Sequence, residues 1–367
     1  MAQALKNQLD QAWLKALLDG VAQVFPQVNV AALQAQFAAI DWEALSLKQR
    51  TQTAARRLYE FLSTQQKQPY AELLKPWLQL APRFNGLAGL VFPQWVEDYG
   101  VQDLDASFKA LEIMTQYSTG EFAIRPLIER DTERTLAQMQ AWSLSPNHHL
   151  RRLASEGCRP RLPWGSALKR FKQDPTPILP ILHNLMQDDS LYVRKSVANN
   201  LNDIGKDHPD TMLAFCQAWW GKSAKSDWII KHASRNFLKQ RHGGFLALLD
   251  LPEADHIELA GWQHDSQVVM GDTLPYQFEL RAANGVARLG RLRVELQVDY
   301  VRANGQPLRK VFKLAEADYS AARKKFNKTL SFKALTTRRY YAGQHKMQLI
   351  INGEIKHQAW FEVIEAC

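Results

Sequence analysis

Leu150-Arg151-Arg152-Leu153-Ala154-Ser155-Glu156-Gly157 runs on into Arg159-Pro160-Arg161-Leu162-Pro163-Trp164, and its opening triplet is an apolar residue followed by two basic ones. The triplet returns as Val193-Arg194-Lys195 and as Ile230-Lys231-His232, at steps of 43 and 37 residues. That spacing is the length of a two-helix repeat. Each basic helix has an apolar helix ahead of it, expected over 135–143, 178–186 and 211–220. Stacked pairs of this kind bury a continuous core and line one concave face with equivalent positions. The basic pairs then form a stripe along that face.

Outward from these repeats the helical period holds toward the N-terminus, as in Leu5, Leu9, Trp13, Ala16 and Leu17, and in Phe108, Leu111, Ile113 and Met114. Between 250 and 262 the period changes to two. Arg293-Val294-Glu295-Leu296-Gln297-Val298-Asp299-Tyr300 alternates, and 347–351 leads into Asn352-Gly353 before 354–363 returns. An Asn-Gly pair accepts the positive φ of a type I′ hairpin turn. Further strands are expected at 268–269, 277–282, 310–313, 329–332 and 358–363, with Tyr340 or Tyr341 placed as in a tyrosine corner. The expectation is an α-helical HEAT-like repeat solenoid over residues 1–255, followed by an all-β sandwich over 256–367.

The net charge of +9 is concentrated: Arg302 to Lys346 carries twelve Lys or Arg against Glu316 and Asp318. Such a surface attracts a polyanion, and its bland counterpart is a solvated face. No apolar run reaches the roughly 20 residues of a membrane span, and Met1 to Asp10 is too polar for a signal peptide. A cytoplasmic protein is expected. Cys158, Cys216 and Cys367 lack paired spacing, so reduced thiols are expected and no metal site. No GxxxxGK[ST] loop occurs, which argues against a nucleotide cofactor.

Glu156 lies four residues beyond Arg152, Asp203 eight beyond Lys195, and Glu121 is read as opening a helix in Thr119-Gly120-Glu121-Phe122-Ala123-Ile124-Arg125-Pro126. Taken singly, each has an ordinary reading: Glu121 at a helix dipole, Glu156 in a salt bridge to Arg152. Trp164 has one too, as a wedge between repeats, and that reading is preferred for Trp95, Trp142, Trp219 and Trp220.

The segments 149–164 and 192–209, with Glu121–Pro126 and Trp228–Ala233, resemble the AlkC branch of the DNA alkylation-repair glycosylases. The likeness extends to a C-terminal module similar to the immunoglobulin-like domain of one subgroup. The resemblance implies a monofunctional glycosylase releasing 3-methylcytosine, 1-methyladenine and 3-methyladenine from duplex DNA; no cofactor is expected, and a solenoid with a DNA-wrapping module is expected to act as a monomer. Proteins of this kind are described as acting without a deep base-flipping pocket. A cationic alkylated base leaves neutral, so what is needed is a fixed carboxylate beside an oxocarbenium-like sugar and a water held at its anomeric carbon. Glu156 and Asp203 are the candidates, assisted by Glu121. Trp164 is the candidate for a cation–π contact with the lesion. Arg152, Arg159, Arg161, Arg194, Lys195, Lys231 and His232 on the helices are candidate DNA contacts, as are Arg338, Arg339 and Lys346 on the sandwich.

Two other classes fit parts of the pattern. A non-catalytic DNA- or protein-binding scaffold uses the same solenoid. A metal-dependent nuclease built on Asp203 and Asp207 lacks a clustered ligand pattern, and His148-His149 reads as surface sequence.

Overall fold

In the computed structural model, which describes residues 5–334 and 339–365, side chains placed by the sequence start the helices. Asp10, Asn29, Asp103, Asp131 and Asn147 each accept a hydrogen bond from a backbone N–H two or three residues on, satisfying donors that a helix start leaves open. The helices are α1 (Gln11–Val24), α2 (Val30–Ala38), α3 (Leu47–Gln66), α4 (Tyr70–Leu80), α5 (Val91–Tyr99), α6 (Leu104–Met114), α7 (Ile124–Arg130) and α8 (Thr132–Ser143). They continue as α9 (His148–Gly157), α10 (Lys169–Gln173), α11 (Leu179–Leu185), α12 (Leu191–Gly205), α13 (Pro209–Trp219), α14 (Ala224–Ala233), α15 (Arg235–Lys239) and α16 (Gly243–Leu248). The three helices expected ahead of the basic ones are α8, α11 and α13.

The chain divides into two compact units, Met1–Ala233 and Ser234–Cys367. The expected cut at 255/256 lies close to the change from helix to strand; the division by packing falls earlier, because α15 and α16 belong with the sheets. In the first unit α12 packs against both α9 and α14, and α8 lies on α9. The repeat is visible in detail. Arg151 Nη1 donates to the carbonyls of Ser145 and Pro146, and Arg194 Nη1 donates to those of Asp188 and Asp189, each at 2.8–2.9 Å. Helical side chains lean toward the N-terminus, so the first base of each of these two pairs staples the turn before its own helix.

The second unit holds β1 (Ile257–His264), β2 (Gln267–Val269), β3 (Thr273–Ala282), β4 (Gly290–Tyr300), β5 (Leu308–Tyr319), β6 (Arg323–Ser331), β7 (Gly343–Ile351) and β8 (Glu354–Ile364). They form two sheets, β1-β3-β6 and β2-β8-β7-β4-β5, antiparallel except for β2 beside β8. The expected sandwich is present, its core built from inward residues such as Leu280, Leu296, Phe326, Leu349 and Phe361. Asn352 and Gly353 turn β7 into β8 with φ of 46° and 87°. Leu246 lies so close to Gly353 that a Cβ there would clash. Strand β1 escapes the sequence reading because its alternation breaks at a bulge, where the register with β3 shifts between Ala260 and Gln263 and Gly261 takes φ of 59°. Tyr340 is buried against Tyr300 and Phe332.

The strongly basic stretch occupies two edge strands. Arg309, Lys310 and Lys313 lie on β5, and Arg323, Lys324, Lys325 and Lys328 on β6, all exposed. Arg338 and Cys367 lie outside the described residues. Burial pushes the Cys158 and Cys216 thiols up to about 12, and both are free. Among the described residues no helix is long and apolar enough to cross a membrane.

Candidate active site

Helices α9 and α12 pack side by side, and the acids that the sequence singles out meet where they adjoin. Glu156 is 6% exposed and Asp203 1%. Between them lies Arg159, 8% exposed, whose Nη1 donates to Glu156 Oε1 at 2.6 Å and whose Nε donates to Asp203 Oδ2 at 2.9 Å. Asp203 Oδ1 also accepts from Lys206 Nζ at 2.9 Å. On the other side Arg152 pairs with Glu121 and approaches Glu156 Oε1 at 3.6 Å. The result is an alternating chain, Glu121–Arg152–Glu156–Arg159–Asp203–Lys206, most of it withdrawn from water.

Burying charges is costly unless each is paired, and here each carboxylate meets a cation. Burial works against the charge of Arg152 and of Arg159. Glu156 and Glu121 around the first, and Glu156 and Asp203 around the second, outweigh it and hold both guanidiniums above their ordinary pKa.

Several expected positions differ. Arg159, expected as a DNA contact, is enclosed between two carboxylates. Glu121, expected to open a helix, sits in the turn ahead of α7. There Thr119 Oγ1 accepts from the Glu121 N–H at 3.2 Å and donates to its Oε2 at 2.9 Å, which holds the acid out of the helix and toward Arg152. Arg194 is drawn into the local carbonyls and lies 5.8 Å from the Trp228 ring. Arg161 is joined to Asp207 by two hydrogen bonds of 3.1 and 2.6 Å. Asp203 and Asp207 therefore serve different arginines. Lys195 and Lys231 are exposed, Lys231 over the Trp220 ring at 5.5 Å, and His232 stacks on Trp228. On the second unit Arg339 lies over Tyr341 and Lys346 over the exposed Trp360.

Trp164 is 67% exposed, so it is no wedge between helices; Trp95 and Trp142 are fully enclosed. Its φ of 66° is one that a bulky side chain rarely adopts. The loop that imposes this is organised by Arg125, a residue whose role the sequence reading missed. Its guanidinium is buried and donates to the carbonyls of Gly157, Arg159 and Ser166. Burial lowers its pKa to about 10. Lys48, from the first turn of α3, donates to the Trp164 carbonyl at 3.1 Å.

Other missed residues surround the cluster. Tyr192, at the start of α12, offers its ring to Arg152 at 5.1 Å. Thr119 Oγ1 also accepts from Arg152 Nη1 at 2.8 Å. Burial, with His148 and Arg152 nearby, lowers the pKa of His149. Only the spacing of Tyr192 relative to the basic pair was available as a sequence signal.

A cavity of about 310 Å³ opens beside Thr119, bounded by α3, α5, the 119–123 turn and Trp164.

Comparison with known proteins finds similarity over nearly the whole length of the chain. The family described as DNA alkylation repair enzyme matches residues 118–237, and the family of the YhaZ C-terminal Ig-like domain matches 259–365. The Pseudomonas fluorescens alkylpurine DNA glycosylase AlkC, solved bound to DNA containing an abasic site analog, is 34% identical. The likeness covers 99% of this chain and 100% of that one, with a TM-score of 0.91. This chain belongs to the AlkC family. It is also similar to YhaZ of Bacillus subtilis (strain 168), 43% identical over 98% of this chain and 99% of the relative. The AlkC-family fold thus accounts for both units.

Proposed function

We propose that this AlkC-family chain is a monofunctional DNA glycosylase. It hydrolyses the N-glycosidic bond of cationic alkylated bases in duplex DNA, 3-methylcytosine, 1-methyladenine and 3-methyladenine, as a monomer without metal or cofactor. The observation that carries this reading is the buried chain of alternating charges from Glu121 to Lys206. Paired acids held in fixed geometry, largely away from water, are suited to stabilising positive charge as it develops on the sugar.

In this reading Glu156 and Asp203 face the anomeric carbon and hold the attacking water, and Glu121 fixes Arg152. Both arginines reach Glu156 through Oε1, so Oε2 is the oxygen assigned to the water. The leaving base already carries the positive charge and departs neutral, so no strong general acid is needed. Lys206 is ion-paired with Asp203 and is not assigned a Schiff-base role; the reaction stops at the abasic site. Trp164, at the exposed edge of the site, offers an indole face to the lesion. Lys195, Lys231, His232, Arg161, Arg339 and Lys346 are assigned to the DNA backbone.

The test is single-turnover incubation of the purified chain, with chelator, on duplexes containing one 3-methylcytosine, 1-methyladenine or 3-methyladenine, followed by alkali. Scission confined to the lesion supports the reading. Tight duplex binding with no base release overturns it and leaves a DNA-binding scaffold, in which the charge chain serves only to join α9 to α12.

A further inference from the structure

We propose that the cavity between α3, α5, the 119–123 turn and Trp164 is a subsite for the free methylated base after it has left the sugar. This rests on the glycosylase reading above, and three observations favour that occupant.

The first is position. Thr119 is a wall of the cavity and also hydrogen-bonds both Arg152 and Glu121. The bond to be broken and the cavity therefore share a residue, and a base released at the charge chain has a short path into it. The second is size. At about 310 Å³ the cavity lies at the small end of the roughly 300–1,000 Å³ range of ligand sites, with room for one bicyclic ring.

The third is chemistry. Leu47, Leu90, Pro93 and Phe122 give flat apolar walls, Trp164 stands at the mouth, and one acid and one base, Glu97 and Lys48, supply the charge. Lys48 Nζ lies 5.6 Å from the centre of the Phe122 ring, so the cation–π position there is already taken. The lining carries one charge of each sign. The neutral planar product offers ring nitrogens and an exocyclic amine to the polar groups. Burial raises the Glu97 pKa, with Lys48 opposing, and the Glu97 carboxylate can accept from the exocyclic amine. Retaining the base there delays turnover.

The experiment is equilibrium dialysis of free 3-methyladenine against the full-length protein, alone and with a duplex containing an abasic analogue, beside an excision assay on the same preparation. Saturable one-site binding is expected. Leu47→Trp, which fills the cavity from α3, should abolish it, and Glu97→Leu should weaken it about tenfold, the worth of one buried hydrogen bond. Leu90→Trp fills the same space from the start of α5 and replaces Leu47→Trp if that variant does not fold. Excision by the wild type with no saturable base binding overturns the cavity proposal and leaves the glycosylase reading standing. So does base binding that both tryptophan variants retain. Failure of excision by the wild type falls on the glycosylase reading, and the dialysis result is scored separately.

Discussion

Two regions of the molecule carry their charge in opposite ways. Between α9 and α12 the charges are buried and paired along an alternating chain. On β5 and β6 seven Lys and Arg residues are exposed, along two strand edges. A buried pair holds geometry and acts at contact distance. An exposed cation acts through a long-range field that salt screens within about 10 Å at 0.1 M. The first arrangement suits chemistry at one bond and the second suits the capture of a polyanion, although lysines on an edge strand also guard it against pairing with another chain.

The comparison breaks first if the buried acids are dispensable. Glu156→Gln and Asp203→Asn should each lower single-turnover excision by about 10²–10³, the loss seen when a preorganised electrostatic group is removed. Duplex affinity, measured by titration, should move only a few-fold. Equal losses in binding and excision would make the cluster a binding element and erase the contrast.

Stability supplies the next contrast. Arg159→Met takes the cation from between Glu156 and Asp203 and should cost about 3–5 kcal/mol in denaturant unfolding, as expected when one partner of a buried ion pair is removed. Lys324→Ala with Lys325→Ala and Lys328→Ala should stay within about 0.5 kcal/mol of wild type, because these side chains touch little. That triple variant should instead flatten the salt dependence of duplex binding, by up to ~0.9 in slope for each phosphate that is no longer neutralised. An unchanged slope accompanied by aggregation would assign the lysines to edge protection.

How far the sequence revealed these regions depends on the range of the forces involved. The helical repeat, the acids on α9 and α12 and the Asn352-Gly353 turn are local signals, and each falls in the kind of element its pattern implies. Arg159 was not legible. An arginine between Cys158 and Pro160 reads as exposed loop until Arg125, more than thirty residues away, gathers the carbonyls of Gly157, Arg159 and Ser166 and folds the loop inward. Lys48 and Glu97 belong to α3 and α5, which carry no motif, and only packing brings them to Trp164 and Phe122. Arg151 and Arg152 look equivalent in sequence, yet one staples a preceding turn and the other enters the charge chain, because adjacent helical positions face about 100° apart. Of strand β6 only the end was expected, at 329–332; its first half hid behind Arg323-Lys324-Lys325, a composition that reads as loop but suits an edge.

The smallest effect lies at the pair intermediate between the two regimes. Arg161 and Asp207 are joined by two hydrogen bonds, but their side chains remain 37% and 23% exposed. The hydrogen bond from Arg161, aided by its charge, holds the Asp207 pKa below the ordinary carboxylate value. A depressed folded pKa adds stability above the unfolded value, near pH 4, and that stability is lost as pH falls through the folded value. Solvent screening limits the amount to less than about 1 kcal/mol. Asp207→Asn should therefore be slightly less stable than wild type at neutral pH, and the two unfolding curves should converge in strong acid. A difference as large as that of Arg159→Met would place Arg161–Asp207 with the buried chain. None at any pH would place it with the screened charges of β5 and β6.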